Sequence, residues 1–145
     1  MCYSLELFQA MSIPSSSFFH NRLAVIATKH RKEDVIGPLV QQHLGVQILV
    51  PQDFDTDQLG TFTREIPRAG SQWQAARRKA QLALEHTQQS LAIASEGSFG
   101  PHPLVPWSAS DLEIVMLVDT THDLEVVGQT LSLQTNYDHR QVSTW

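Results

Sequence analysis

Hydrophobic and polar positions along the chain follow two periods. Arg22 to Thr28 (RLAVIAT) is a short apolar run rich in strand formers and predicts a strand. Polar residues then lead into EDVIGPLVQQHLG, where apolar positions recur near every 3.6 residues, predicting a helix closed by Gly45 at its C′ position. Pro38 suits the first turn of that helix or a kink within it. VQILV (46–50) predicts a second strand ended by Pro51, and TFTREI (61–66) alternates as a third would. Ser71 is placed to cap a helix running from about Gln72 to Thr87, with Trp73, Ala76, Ala80 and Leu84 on one stripe and Arg78 and Lys79 turned away from it. SLAIAS (90–95) predicts a short buried strand, after which SEGSFGPHP reads as a loop. DLEIVMLVD (111–119) and LEVVGQTLSL (124–133) predict an antiparallel hairpin turning through Thr120 to Asp123. The expected fold class is α/β, a mixed sheet with flanking helices.

No break divides the 145 residues into two domains. Residues 1–21 are expected to be a flexible N-terminal extension and 22–145 a single α/β domain, with Met11 an alternative start to Met1. The tail QTNYDHRQVSTW has no stop signal, so the domain is expected to be C-terminally truncated. With 41% apolar and 17% charged residues the chain should fold around a core. Cys2, the only cysteine, excludes an intramolecular disulfide and a cysteine-built zinc cage, and a reducing, cytoplasmic setting is expected. No run is long and apolar enough to span a bilayer as a helix. No membrane partner is expected.

A net charge of −5 argues against a nucleic-acid polymer as partner. The basic residues are nevertheless focused: Lys29, Arg31 and Lys32 in one segment, Arg64, Arg68, Arg77, Arg78 and Lys79 in another. Such focusing suits a compact anion, whereas two solvated helix faces would explain it without any ligand. Thr28 and Lys32 flank the start of the first helix, where free backbone N–H groups and the helix dipole attract phosphate. Arg77 or Lys79 would be the contribution of the second helix. Glu96, set among Ser95, Gly97 and Ser98, is placed to hold a divalent ion or take a proton from water, or else only to cap its turn. His102 is a substrate contact or a surface residue.

Several motifs are absent. GxxxxGK[ST], GxGxxG, HExxH and GxSxG do not occur. The stretch from Asp53 to Asp57 imitates a calcium loop but has Gln58 at the required Gly and Arg64 at the twelfth position.

The blocks LAVIATKHRKEDVI, DTDQLGTFTREIPRAGSQWQAARRKA and LAIASEGSFGPHP resemble an uncharacterised bacterial family, over about residues 22 to 142. More distantly, their order is similar to the inosine triphosphate pyrophosphatase-like enzymes, Maf-type included. Thr28 and Lys32 fall on the Thr and Lys of that group's T/S-N-x-x-K loop, with Lys29 in place of Asn. Ser71, Ala76, Lys79 and Ala80 fit its T-x-x-E-N-A-x-x-K-A helix, with Ala75 in place of Asn, and Glu96-Gly97-Ser98 matches its acidic residue followed by small ones. The resemblance implies a pyrophosphatase-like fold and Mg²⁺-dependent hydrolysis of a nucleoside triphosphate. Glu96 would be catalytic and a metal ligand, Glu65 a second ligand, and Thr28, Lys32, Ser71, Lys79 and Ser98 would bind substrate. A small phosphorylated molecule or nucleotide is the expected partner, and a homodimer the expected assembly. The alternative is a non-catalytic nucleotide- or anion-binding domain, and a third reading is an interaction domain with solvated charged loops.

Overall fold

The computed structural model describes residues 18–28, 31–52, 54 and 69–134, giving the backbone alone for residues 69–71. The elements are β1 (Leu23–Ala27), α1 (Glu33–Leu44), β2 (Gln47–Leu49), α2 (Ala69–Thr87), β3 (Leu91–Pro101), β4 (Ala109–Asp119) and β5 (Leu124–Ser132). They build a five-stranded sheet in the order β2-β1-β3-β4-β5. β1 runs parallel to both β2 and β3, while β3, β4 and β5 form an antiparallel meander. The α/β class with a mixed sheet and flanking helices is therefore present. The expected TFTREI strand, the calcium-like loop beyond Phe54 and the tail after Gln134 lie outside the described residues.

Alternation along the strands assigns each face of the sheet to one helix. Val25, Ala27, Ala92, Ala94, Ile114, Met116 and Val118 turn toward α2, where Ala76, Ala80, Ala83 and Leu84 meet them. The intervening positions Ala24, Leu91 and Ile93 turn the other way, toward Ile36, Val40 and Leu44 of α1. Alanines on both sides of the α2 contact let the helix lie close to the sheet. On the α1 side Gly37 is buried against the sheet, where a Cβ would stand at an ordinary contact distance of 3.7 Å from Ile26 Cδ1. α1 ends as its sequence predicts, with Gly45 at φ 67° and its N–H donating to the Gln41 carbonyl. Pro38 lies well inside this helix, beyond its first turn, on its exposed side.

Four expectations are corrected. Residues 18–21 belong to the folded unit: Phe19 packs against the α1-side core, and the Asn21 N–H donates to the Gly45 carbonyl at 2.8 Å. Ser71 is not the cap of α2, since the helix begins at Ala69. Trp73 starts the apolar stripe of α2 yet is 38% exposed, while Lys79, expected to turn away, is buried at 5%. The reason is helical spacing, since residue 79 sits three positions after Ala76 and four before Ala83, on the stripe that meets the sheet. Finally, SEGSFGP is not a loop. β3 continues to Pro101, and Leu91 to Pro101 pair residue by residue with Asp119 to Ala109 of β4. Serine and glycine are poor strand formers, but a long, apolar partner strand overrides that preference. The loop proper is His102 to Ser108, where His102 Nδ1 accepts from the N–H groups of Leu104 and Val105 at 3.1 and 3.2 Å. His102 is thus committed to the turn. Among the described residues, no helix is long and apolar enough to cross a membrane.

Candidate functional site

The parallel part of the sheet is shorter than its meander. β1 last pairs with β3 at Ala27 and Ala94, while β3 runs on for several residues beside β4 alone. Just beyond that limit stand most of the candidate residues, and the alternation of β3 divides them between the two faces.

On the α2 face are Lys79, Glu96 and Ser98. The Lys79 ammonium, delivered by the core-facing stripe of α2, meets Glu96 Oε1 at 2.5 Å and donates to the Ser95 carbonyl at 2.9 Å. The Lys79 side chain is 6% exposed and that of Glu96 26%. A lysine this deep is tolerated because its charge is both paired and hydrogen-bonded. Ser98 lies two residues further along the same face and is exposed.

On the α1 face are Thr28, Lys32, Ser95, Gly97 and Glu113. Lys32 occupies the N-cap of α1, makes no capping hydrogen bond with its side chain, and places its ammonium 2.6 Å from Glu113 Oε2. The Thr28 hydroxyl donates to Glu33 Oε2 at 3.0 Å, within the first turn of the helix. Ser95 is 4% exposed and its Oγ has no hydrogen-bond partner. By the alternation of β3 it shares the α1 side with Ile93, one residue beyond the last β1–β3 pair, Ala27 and Ala94.

Gly97 explains the small residues around Glu96. It pairs with Glu113 across the ladder, and a Cβ on it would stand 2.7 Å from Glu113 Oε1. The carboxylate of Glu113 lies over the bare backbone of Gly97 on its way to Lys32. A side chain there would push it aside.

Lys32 and the Lys79–Glu96 pair consequently do not surround one point. They stand at the same end of the sheet on opposite faces. Lys29 and Glu65 lie outside the described residues, as does the Ser71 side chain. Arg77, the alternative to Lys79, is bound from Nε and Nη2 to the Glu125 carboxylate at 2.8 and 2.7 Å on the edge of the meander. That contact holds Glu125 below its ordinary pKa and raises that of Arg77.

The donor set can be weighed against Mg²⁺, which takes oxygen ligands in a near-octahedral array. The oxygens nearest to hand are those of Glu96, already against an ammonium, and those of Glu113 on the other face, likewise against one. Among the described residues no group of three or more His, Cys, Asp or Glu could hold a metal. Glu65, the second expected ligand, lies outside the described residues, and within them Glu96 offers the ion only a carboxylate already paired with Lys79.

A further polar cluster, which the sequence reading missed, closes the opposite end of the sheet. Arg22, just before β1, grips Asp119 at the end of β4 through both nitrogens, Nη1 to Oδ2 at 2.6 Å and Nη2 to Oδ1 at 2.8 Å. Nη2 also donates to Ser90 Oγ at 3.0 Å, while His122 Nδ1 lies 2.7 Å from Asp119 Oδ2 and the Thr121 N–H donates to Oδ1. The Asp119 side chain is fully buried. The guanidinium holds its carboxyl far below the usual carboxylate range, burial opposes this, and His122 and the Thr121 N–H add to it. One signal was available: an Asp closing an apolar strand needs a partner if buried.

Residues 79–145 match the model of a family described as Domain of unknown function (DUF6671). The matched segment contains Lys79, Glu96 and Glu113 but not Lys32. No curated protein matches the chain. Among solved structures it is similar to the C-terminal domain of LpoB from Salmonella enterica, at 8% identity over 82% of this chain and 87% of that one, with a TM-score of 0.43. The resemblance to the inosine triphosphate pyrophosphatase-like enzymes gains no support from these matches.

Proposed function

We propose that the chain binds a phosphorylated small molecule, of the nucleotide or phosphate-ester class, at the N-terminal end of α1, and that it does so without hydrolysing it. The observation that carries this reading is the Lys32 ammonium at the N-cap of α1, on the same face and at the same end of the sheet as the buried, unpartnered hydroxyl of Ser95. Unpaired buried polar groups are uncommon and costly, and a hydroxyl and an ammonium on one face beside a helix N-terminus suit phosphate oxygens. Lys32 at the positive end of the α1 dipole is itself unfavourable, a cost that Glu113 already offsets and that a more highly charged anion would offset further.

Binding is favoured over turnover by the position of Glu96. Its carboxylate lies across the sheet from Lys32 and is held by Lys79. A general base or metal ligand on that side would have to give up its own cation and would still face away from the phosphate.

Calorimetry with inorganic pyrophosphate separates the two roles. Lys32→Ala should weaken binding about tenfold or more, since a hydrogen bond to a charged group is worth roughly 1.5–3 kcal/mol and each 1.4 kcal/mol is a factor of ten. Glu96→Gln should leave the affinity within about twofold. If Glu96→Gln loses as much affinity as Lys32→Ala, the site lies elsewhere. If the unaltered protein gives neither binding heat nor a raised melting temperature, the binding function is wrong.

A further inference from the structure

Lys32 is already engaged by an anion belonging to the chain itself. Glu113 reaches it from β4 at 2.6 Å, across a glycine that leaves room for the carboxylate. The two side chains are 33% and 39% exposed, so the pair is accessible and its carboxylate has solvent to move into. Its other neighbour on the ladder, Thr130 of β5, is uncharged.

We propose that Glu113 is an internal counter-anion that sets the charge threshold of the α1 site. A ligand gains Lys32 only by displacing this carboxylate, so the site selects groups with a higher charge than a carboxylate, the phosphate dianion above all, and discriminates against carboxylic acids. This inference rests on the phosphate-binding reading and adds a specificity-determining residue to it. The physical basis is competition: when the binding-competent arrangement is a minor fraction of the population, apparent affinity falls by that fraction. A carboxylate ligand offers Lys32 nothing that Glu113 does not already supply at high effective concentration, whereas a phosphate brings a second charge and a third oxygen.

The test is calorimetry with inorganic pyrophosphate and with malonate on four proteins: the unaltered chain, Glu113→Gln, Gly97→Ala and Glu125→Gln. Glu113→Gln should tighten pyrophosphate about tenfold, as expected if Glu113 holds Lys32 about nine-tenths of the time. It should tighten malonate by more, so that discrimination between the two narrows. Gly97→Ala should move both affinities in the same direction by a smaller factor, because its Cβ crowds the carboxylate off Lys32 while keeping its charge. Glu125→Gln removes one negative charge elsewhere and should change neither affinity, which separates local competition from the overall field. Unchanged or weakened pyrophosphate binding in Glu113→Gln, with the unaltered chain binding normally, overturns the role of Glu113 and leaves the binding reading intact. Absence of pyrophosphate binding in both proteins overturns the binding reading and this inference with it.

Discussion

Replacing Arg22 by alanine should lower the unfolding free energy by about 3 kcal/mol, the scale on which removing one partner of a buried ion pair acts. The Asp119 side chain is fully buried and receives two hydrogen bonds from the guanidinium, 2.6 and 2.8 Å long. Without Arg22 the carboxylate keeps only His122 and the Thr121 N–H, and Ser90 loses its donor. The damage falls on both core strands, since Arg22 introduces β1 and Asp119 ends β4. The change also alters the pH profile. Asp119 has its pKa depressed in the folded state, so its contribution is fully present above the unfolded value, about 3.9, and fades only as pH falls toward the lower folded value. Urea unfolding between pH 7 and pH 3 should therefore show the unaltered protein keeping this contribution down to about pH 4. In Arg22→Ala the curve should start lower and respond less to acid in the range below the ordinary carboxylate pKa. Equal stability at pH 7 would mean that the cluster is ornamental.

Lys79→Met should cost about 3 kcal/mol, and the companion change Glu96→Leu should return most of it. Methionine fills the space of the lysine stem in the alanine-lined gap between α2 and the sheet, but leaves the Glu96 carboxylate beside apolar groups with no cation. Converting that carboxylate to leucine removes the stranded charge, and replacing a buried pair by apolar residues of similar volume is often neutral. Denaturant midpoints of the two single variants and the double variant form a cycle whose coupling should exceed about 1 kcal/mol. Additive losses would show that the two residues do not depend on each other, and Glu96 would again be available for chemistry.

Most of the architecture was legible because apolar runs and helical spacing survive as local signals. RLAVIAT became β1, EDVIGPLVQQHL became α1 with Gly45 beyond its end, and the last two apolar runs became β4 and β5. Two features were hidden for reasons that are not local. Serine, glycine and proline in β3 carry a loop signature, and only their pairing along the full length of β4 holds them extended. Lys79 reads as a solvated charge until the neighbouring alanines show that α2 lies close enough to the sheet to cover it. The site was legible in its residue types but not in its arrangement. Between Lys79 and Arg140 the sequence contains no Lys or Arg. Four basic residues at or before position 79, Arg22, Lys32, Arg77 and Lys79, therefore reach acids on β3, β4 and β5 that lack cations of their own. Glu113, in the middle of an apolar strand, carried the clue: alternation turns it away from Ile114 and the α2 core, onto the face where α1 begins.

Amide chemical-shift mapping with inorganic pyrophosphate tests most directly the claim that the phosphate site lies on the α1 face alone. The largest shifts should fall on Lys32, Glu33 and Asp34 at the start of α1 and on Ser95 and Gly97 of β3, with residues 76–84 of α2 undisturbed. Shifts centred on Lys79 and its helix instead, or no shifts at saturating pyrophosphate, would contradict it.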